Sequence, residues 1–452
     1  MLPPVNYLKK NLSSWLDTLS EQGHDISGMK EKIQGLSDSY DEIILFANEA
    51  ARLPMRKDWQ YVEPLDWNGI ESEMDKNRTA EFSDEIAKNT DIEEYSKKAE
   101  AAFLSSVLGC ILGKPLEVAP SLDELKKAGT SCGEWPISDF ITEKFLNALG
   151  RRHSSWNDTT KGNINYVAAD DDLHYSIMGM INLENYGLAL DLDGVKNTWL
   201  NHQCLNFVWG PERYLLACVG VNHLYEDDEK EKHKDNDYYL NWGNTFNPGT
   251  ELCGAAIRAD AYGYAFPGRP GLAAKYAFLD ASFTHKRTGV YSAMFIAAAI
   301  ALMFKARDPL SAFEGALKFV PQQSRFYSNT RLCLEYVKTS ASFDDAYQKI
   351  HHRFIEYGHC KIYQEIGTLI NTLKYAGSIW DGVCRQVMQG NDTDSFGCTA
   401  GSLLGAFFGY ENLPGEKLSL FNDEIKVSLA SFHEHSLSVL ARRMGALPKK
   451  FL

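Results

Sequence analysis

Gly390-Asn391-Asp392-Thr393-Asp394-Ser395-Phe396-Gly397-Cys398-Thr399-Ala400-Gly401 is the stretch on which the fold turns. Two carboxylates and a hydroxyl stand within four residues, at the start of a run with helical character. Gly397, Gly401, Gly405 and Gly409 then recur at every fourth position. Residues four apart share one helix face, so this spacing predicts a stripe almost without side chains, against which another backbone can pack closely. Hard oxygen donors at the head of such a helix suit a magnesium-type ion. The same acids also suit an ordinary helix N-terminus, where aspartate caps are favoured.

Working outward, nearly every apolar run from residue 96 onward has helical spacing and none alternates as a strand does. Ala101–Leu112, Leu173–Tyr186, Tyr214–Leu224, Gly289–Lys305, Phe343–Phe354, Gln364–Tyr375, Ser395–Phe408 and His433–Met444 are predicted helices. The fold class is therefore all-α. Residues 1–95 differ in character: polar helical stretches (Tyr7–Ser20, Ile26–Leu36, Asp41–Leu53), a Pro- and Trp-rich link from Pro54 to Trp67, and a polar helix near Asp84–Lys98. They read as a helical extension, with 96–452 as the main domain. Glu226–Asp237 is a dense charge run and reads as a solvated loop.

The chain of 452 residues is 44% hydrophobic and 23% charged, as globular proteins are, and carries a net charge of -14. That excess of acid argues against nucleic acid as the main partner, because polyanion binding needs clustered Lys and Arg. The most apolar run, Tyr291–Phe304, is too short to span a bilayer. The nine cysteines are scattered, with no C-x-x-C pair, which argues against a zinc ribbon. Their odd number and an N-terminus, Met1 to Leu16, that mixes apolar and polar residues without a signal-type core fit a reducing, cytoplasmic setting without membrane attachment.

Four further segments carry candidate chemistry. Asp170-Asp171-Asp172 precedes another helical pattern; three adjacent carboxylates repel one another, and a bound cation would offset that far better than the helix dipole. Two such heads facing each other could hold one or two ions and activate a water. Gly109 and Gly113 make a second close-packing face, and Glu117 follows the break at Pro115, where it is either a solvated loop residue or a general acid/base. Gly254-Ala255-Ala256 offers small residues for close approach of backbone N–H groups to a phosphate or ribose, with Asn247 shortly before it; Arg258 and Asp260 read as a structural pair. His285 could contact a ligand or sit in the core, and Tyr291 lies about a turn and a half beyond it. No Walker loop, Rossmann fingerprint or G-x-S-x-G elbow is present.

The order of these five elements resembles the ADP-ribosylglycohydrolase family over roughly residues 100–412. The family's Gly-Asp-x-x-Gly-x-x-x-Glu, Thr-Asp-Asp, Asn-Gly-Ala-x-Met-Arg, Leu-Thr-His and Gly-Asp-Thr-Asp-Thr motifs are matched by Gly109–Glu117, Asp170–Asp172, Gly254–Arg258, Phe283–His285 and Asn391–Ser395. The resemblance implies an orthogonal bundle of helices with two Mg2+ ions in a cleft, Mn2+ being an alternative, and hydrolysis at C1 of an ADP-ribosyl ribose. It implies Asp170, Asp171, Asp172, Asp392, Asp394 and Ser395 as metal ligands and Glu117, Asp172 and Asp392 as catalytic residues. Gly254, Ala255, His285, Tyr291 and Asn247 become substrate-binding candidates. Cys110, Cys253 and Asp170 depart from the pattern, standing where the family has Asp, Asn and Thr. A bacterial branch is similar to this chain in Gly-Cys-x-Leu-Gly-Lys-Pro-x-Glu and in the Asp triplet. The implied substrate is an ADP-ribosylated protein or a small ADP-ribosyl or furanosyl compound. A hydrolase of a free nucleoside or small furanoside, and a non-catalytic ADP-ribose binder, are the alternatives.

Overall fold

The computed structural model describes residues 4–78, 91–223 and 247–452. Within them the regular structure is helical, and strand-like pairing is limited to isolated bridges such as Ser121 with Gly390 and Leu252 with Lys361. The charge run Glu226–Asp237 and the start of the expected 84–98 helix lie outside the described residues.

Two antiparallel helices form the spine, Ile92–Gly113 and Thr393–Phe408. The first is opened by Asp91, whose carboxylate accepts from the backbone N–H groups of Glu93 and Glu94, and those two acids favour the positive helix end. From Ala99 onward it is buried on every side, as a helix without a polar face must be. By length and apolar composition Ile92–Leu116 could cross a bilayer, but its most apolar window is wholly buried inside the protein.

Glycine decides how the pair packs. A Cβ on Gly397 would stand 2.5 Å from the carbonyl oxygen of Gly109, and one on Gly405 would stand 2.5 Å from that of Ala101. Gly401 similarly faces Ser105, while Gly113 faces the carbonyl of Thr393. The two backbones are therefore in direct contact along the predicted stripe. Gly409 does not belong to it: with φ of 81° it ends the helix. The pairing has a positional consequence. Its register sets the C-terminal end of the first helix, with Lys114 and Glu117 just beyond, beside the acid-bearing head of the second.

Around the spine pack the helices Asp171–Tyr186, Thr288–Met303, Ile362–Tyr375 and Leu437–Phe451. The last begins later than the expected His433–Met444 and runs further, because Ser436 caps it by accepting from the Val439 N–H. The 95/96 boundary drawn from composition falls inside the continuous helix Ile92–Gly113. The N-terminal helices Val5–Glu21, Met29–Gly35 and Tyr40–Ala50 do enclose a small core of their own, from Leu8 to Ala50, whereas Ile70 and Met74 already belong to the main core. The extension is tied to the body by polar contacts: Thr18 donates to Pro248 O, Lys361 pairs with Glu21, and Arg287 donates to Gln22 O. Arg325, 8% exposed, binds Glu63 from the link and Glu251 from the body.

Candidate active site

Three segments far apart in the chain meet at Lys114. The ammonium lies 2.7 Å from Asp394 Oδ2, 2.8 Å from Asp170 Oδ2 and 2.6 Å from Glu117 Oε2, and the lysine is only 7% exposed. The acid heads of two helices thus face each other across one side chain. Each segment is positioned by a separate device. Lys114 and Glu117 bracket the single 3-10 turn Lys114–Leu116 that Pro115 imposes on the end of the spine helix. Asp170 caps the Asp171–Tyr186 helix by accepting from the Asp172 N–H at 3.0 Å. Asp392 occupies the N-cap position of its helix, yet its side chain makes no capping bond. The loop before it is pinned by Asn391 N–H donating to Pro120 O at 2.7 Å. That approach needs a glycine at 390, where φ is 78° and a Cβ would strike Pro120.

The charge balance within the cluster is unequal. Burial pushes Asp170 up, but the Lys114 ammonium and the Asp172 N–H more than offset this and leave it below the usual range. Asp172 is held well above that range, by burial first and then by the charges of Asp170, Asp394, Asp171 and Asp392. Asp171 is pushed to about 8 and Asp392 to about 7, burial again leading and neighbouring carboxylates following. Glu117 rises to about 9 through burial and the Asp394 charge, although its side chain keeps 36% exposure and is the part of the cluster that opens to solvent. One ammonium is too little counter-charge for buried acids crowded in this way.

A divalent cation fits what is missing. Neither carboxylate oxygen of Asp172 has a hydrogen-bond partner, and Oδ1 of Asp394 has none. Buried polar atoms are seldom left so. The Cys110 thiol, Asp170 and Asp172 each offer an atom within 4.8 Å of the others. Carboxylate oxygens so placed, with a thiol beside them, can hold a divalent cation.

On the far side of Asp392 the donors change. Its Oδ2 accepts from the thiols of Cys253 and Cys360, each at 3.4 Å, while Ser395 bonds to the same carboxylate. Glu365, 1% exposed, adds another acid, raised well above the usual carboxylate range by burial and by the Asp392 charge. The Cys253 thiol is held well above its ordinary value by its bond to Cys360 and by burial. Cys360 stands at about 12: the Cys253 bond lowers it, and burial with the Asp392 charge outweighs that. Neither is a thiolate nucleophile near neutrality.

The substrate-binding candidates are spread more widely. Gly254 is partly exposed, and a Cβ there would strike Glu212; Ala255 is fully buried beside it. Asn247 is 1% exposed and accepts from the Gly249 N–H. His285 is buried, with Nδ1 at 2.7 Å from Thr284 Oγ1 and no partner on Nε2. Tyr291 is fully buried and donates to Pro64 O, which joins it to the N-terminal link rather than to the acid cluster. The expected Arg258–Asp260 pair does not form. Arg258 binds Glu212 at 2.7 Å and Asp280 at 3.1 Å, whereas Asp260 accepts from Tyr264 and Ser402. His285 lies 3.6 Å from the same Glu212 oxygen, but the much closer guanidinium already neutralises that carboxylate.

Reading the sequence missed Lys114, Glu365 and Cys360 as parts of the site. Lys114 was visible as the charge that ends the apolar run Val107–Gly113, and Glu365 as an acid on the apolar stripe of Ile362, Ile366 and Leu369. Cys360 had no signal.

The sequence profile of the family described as ADP-ribosylglycohydrolase matches residues 91–445. Among solved structures the chain is similar to one described as an ADP-ribosylglycohydrolase-related protein complex. The identity is 15% and the TM-score 0.50, over 79% of this chain and 99% of that one, a likeness of fold alone. No curated protein matches the chain.

Proposed function

The chain belongs to the ADP-ribosylglycohydrolase family and is a hydrolase of glycosidic bonds; from that premise we propose that it cleaves the bond at ribose C1 of an ADP-ribosyl substrate, with divalent-cation assistance. The observation that carries the reading is the convergence, inside the family-matched span, of Glu117, Asp170 and Asp394 on the Lys114 ammonium, with Asp171, Asp172 and Asp392 close enough to act on one another's charge. A structural network would pair those acids; here Asp172 and one oxygen of Asp394 are unpartnered.

Asp171, Asp172, Asp392, Asp394 and Ser395 would hold the cation, with Asp170 steadying the helix head that carries two of them. When bound, Mg2+ or Mn2+ supplies Lewis acidity toward ribose hydroxyls and eases deprotonation of water. The protein's own groups do the rest. The carboxylates lower the energy of positive charge developing at C1. Glu117, at the solvent edge, holds or moves the proton of the attacking water or departing group. Gly254, partly exposed, is the one member of its small-residue turn that a substrate could reach, and the buried Arg258–Glu212–Asp280 set fixes that turn. The unpaired state of all eight described cysteines supports action in a reducing, cytoplasmic compartment.

The test is release of ADP-ribose from Arg-, Ser- and nucleic-acid-linked substrates by the full chain, with and without Mg2+. Turnover that requires the ion, and falls by about 100-fold or more in Glu117→Gln with binding retained, is expected. Binding of ADP-ribose without turnover on every linkage would overturn the catalytic reading.

A further inference from the structure

Lys114 is placed where a cation belongs. Its ammonium touches three carboxylates from three segments, Asp394, Asp170 and Glu117, at 2.7, 2.8 and 2.6 Å. The contact with Asp394 is a hydrogen bond as well as an ion pair, and Asp170 Oδ2 and Glu117 Oε2 lie at ion-pair distance from the same charge. The oxygens are therefore arranged around a point charge, as they would be around a metal ion. An ammonium is compact and strongly charged enough to serve that purpose. Among the proposed ligands, the buried oxygens that remain without a hydrogen-bond partner are those of Asp172 and Oδ1 of Asp394. These suffice for one further centre of positive charge, and a second divalent ion at the lysine's own position would meet direct like-charge repulsion.

We propose that Lys114 is a tethered internal cation that fills one of two adjacent cation positions, so that the pocket takes a single divalent ion. The inference rests on the cation-assisted reading above and makes it more specific. A covalently held charge keeps its position at any ion concentration. Activation by metal then follows the first power of the ion's concentration, not the second.

Mn2+ is the probe, with the full chain stripped of metal and dialysed against the ion. Expected for the natural protein is one Mn2+ per chain, with the six-line electron-spin signal of an isolated ion. In Lys114→Ala the vacated oxygens of Asp170, Asp394 and Glu117 form a second position, so two Mn2+ and a spin-coupled spectrum are expected. Two coupled ions in the natural protein would overturn the inference while leaving the hydrolase reading intact. One ion in both proteins would overturn it as well, because the lysine's place would then not be a cation position. No Mn2+ in either would overturn it together with the metal part of the proposed function. Should Lys114→Ala not fold, the count and spectrum of the natural protein decide alone.

Discussion

Asp172→Asn separates an acid kept for a ligand from one kept for the fold. Asp172 is 1% exposed, and neither of its oxygens is hydrogen-bonded. Asparagine has the same shape, removes the charge and replaces one acceptor oxygen with an NH2 group that can donate to the neighbouring carboxylates. Oxygens of Asp170 and Asp172 lie within 4.8 Å, so their repulsion is about 3.5 kcal/mol at an effective dielectric of 20. Taking up a proton limits the penalty. Protonating an ordinary aspartate at pH 7 costs about 4 kcal/mol, the gap to its usual pKa at about 1.4 kcal/mol per unit. The metal-free variant should accordingly be more stable than the natural protein by about 2–4 kcal/mol in urea unfolding at pH 7. Mn2+ should then act oppositely on the two. At about 100 times its dissociation constant the ion stabilises the natural protein by about 2.7 kcal/mol, and the variant should lose most of that. A variant less stable without metal, yet still stabilised by Mn2+ to the natural extent, would refute the reasoning: Asp172 would then be a structural residue.

Gly401→Ala should destabilise by about 1–3 kcal/mol or more, since the new methyl meets the Ser105 backbone, which cannot yield as a side chain can. Gly35→Ala, where nothing lies within 4 Å, should be neutral or slightly stabilising in the same thermal-unfolding comparison, and equal effects would count against backbone contact in the spine. Burial, aided by Arg258, holds His285 well below its ordinary value. The unfolded chain then binds a proton below about pH 6.5 where the folded one does not, so this contribution is full above that pH and is lost as pH falls. Glu212, raised to about 6 by burial despite the Arg258 charge, acts in the opposite sense, favouring the fold at low pH. The acid limb should flatten in His285→Gln, as read from urea midpoints between pH 7 and 5; an unchanged limb would place the titrating group elsewhere.

Much of the architecture was legible because it is local. Helix faces repeat every three to four residues, so Phe343–Phe354 and the close-packing stripe at Gly397, Gly401 and Gly405 could be read directly. The acids at 170–172 and 392–394 were recognisable by their place ahead of such patterns, and the order of the five motifs pointed to the family. Boundaries were less secure. A change of composition near residue 95 resembled a domain edge, but a helix continues through it, because burial changes along a helix without breaking it.

The sequence alone determined that this chain is all-helical, that a small-residue stripe must meet another backbone, and that acids stand at helix heads. The tertiary structure alone decided which charges meet. Lys114 reaches an aspartate 280 residues away, Cys253 and Cys360 converge on Asp392, and Arg258 prefers Glu212 and Asp280 to the nearby Asp260. The physical reason is range: periodicity records which face a residue occupies, whereas the partner of a buried charge depends on where distant segments come to rest.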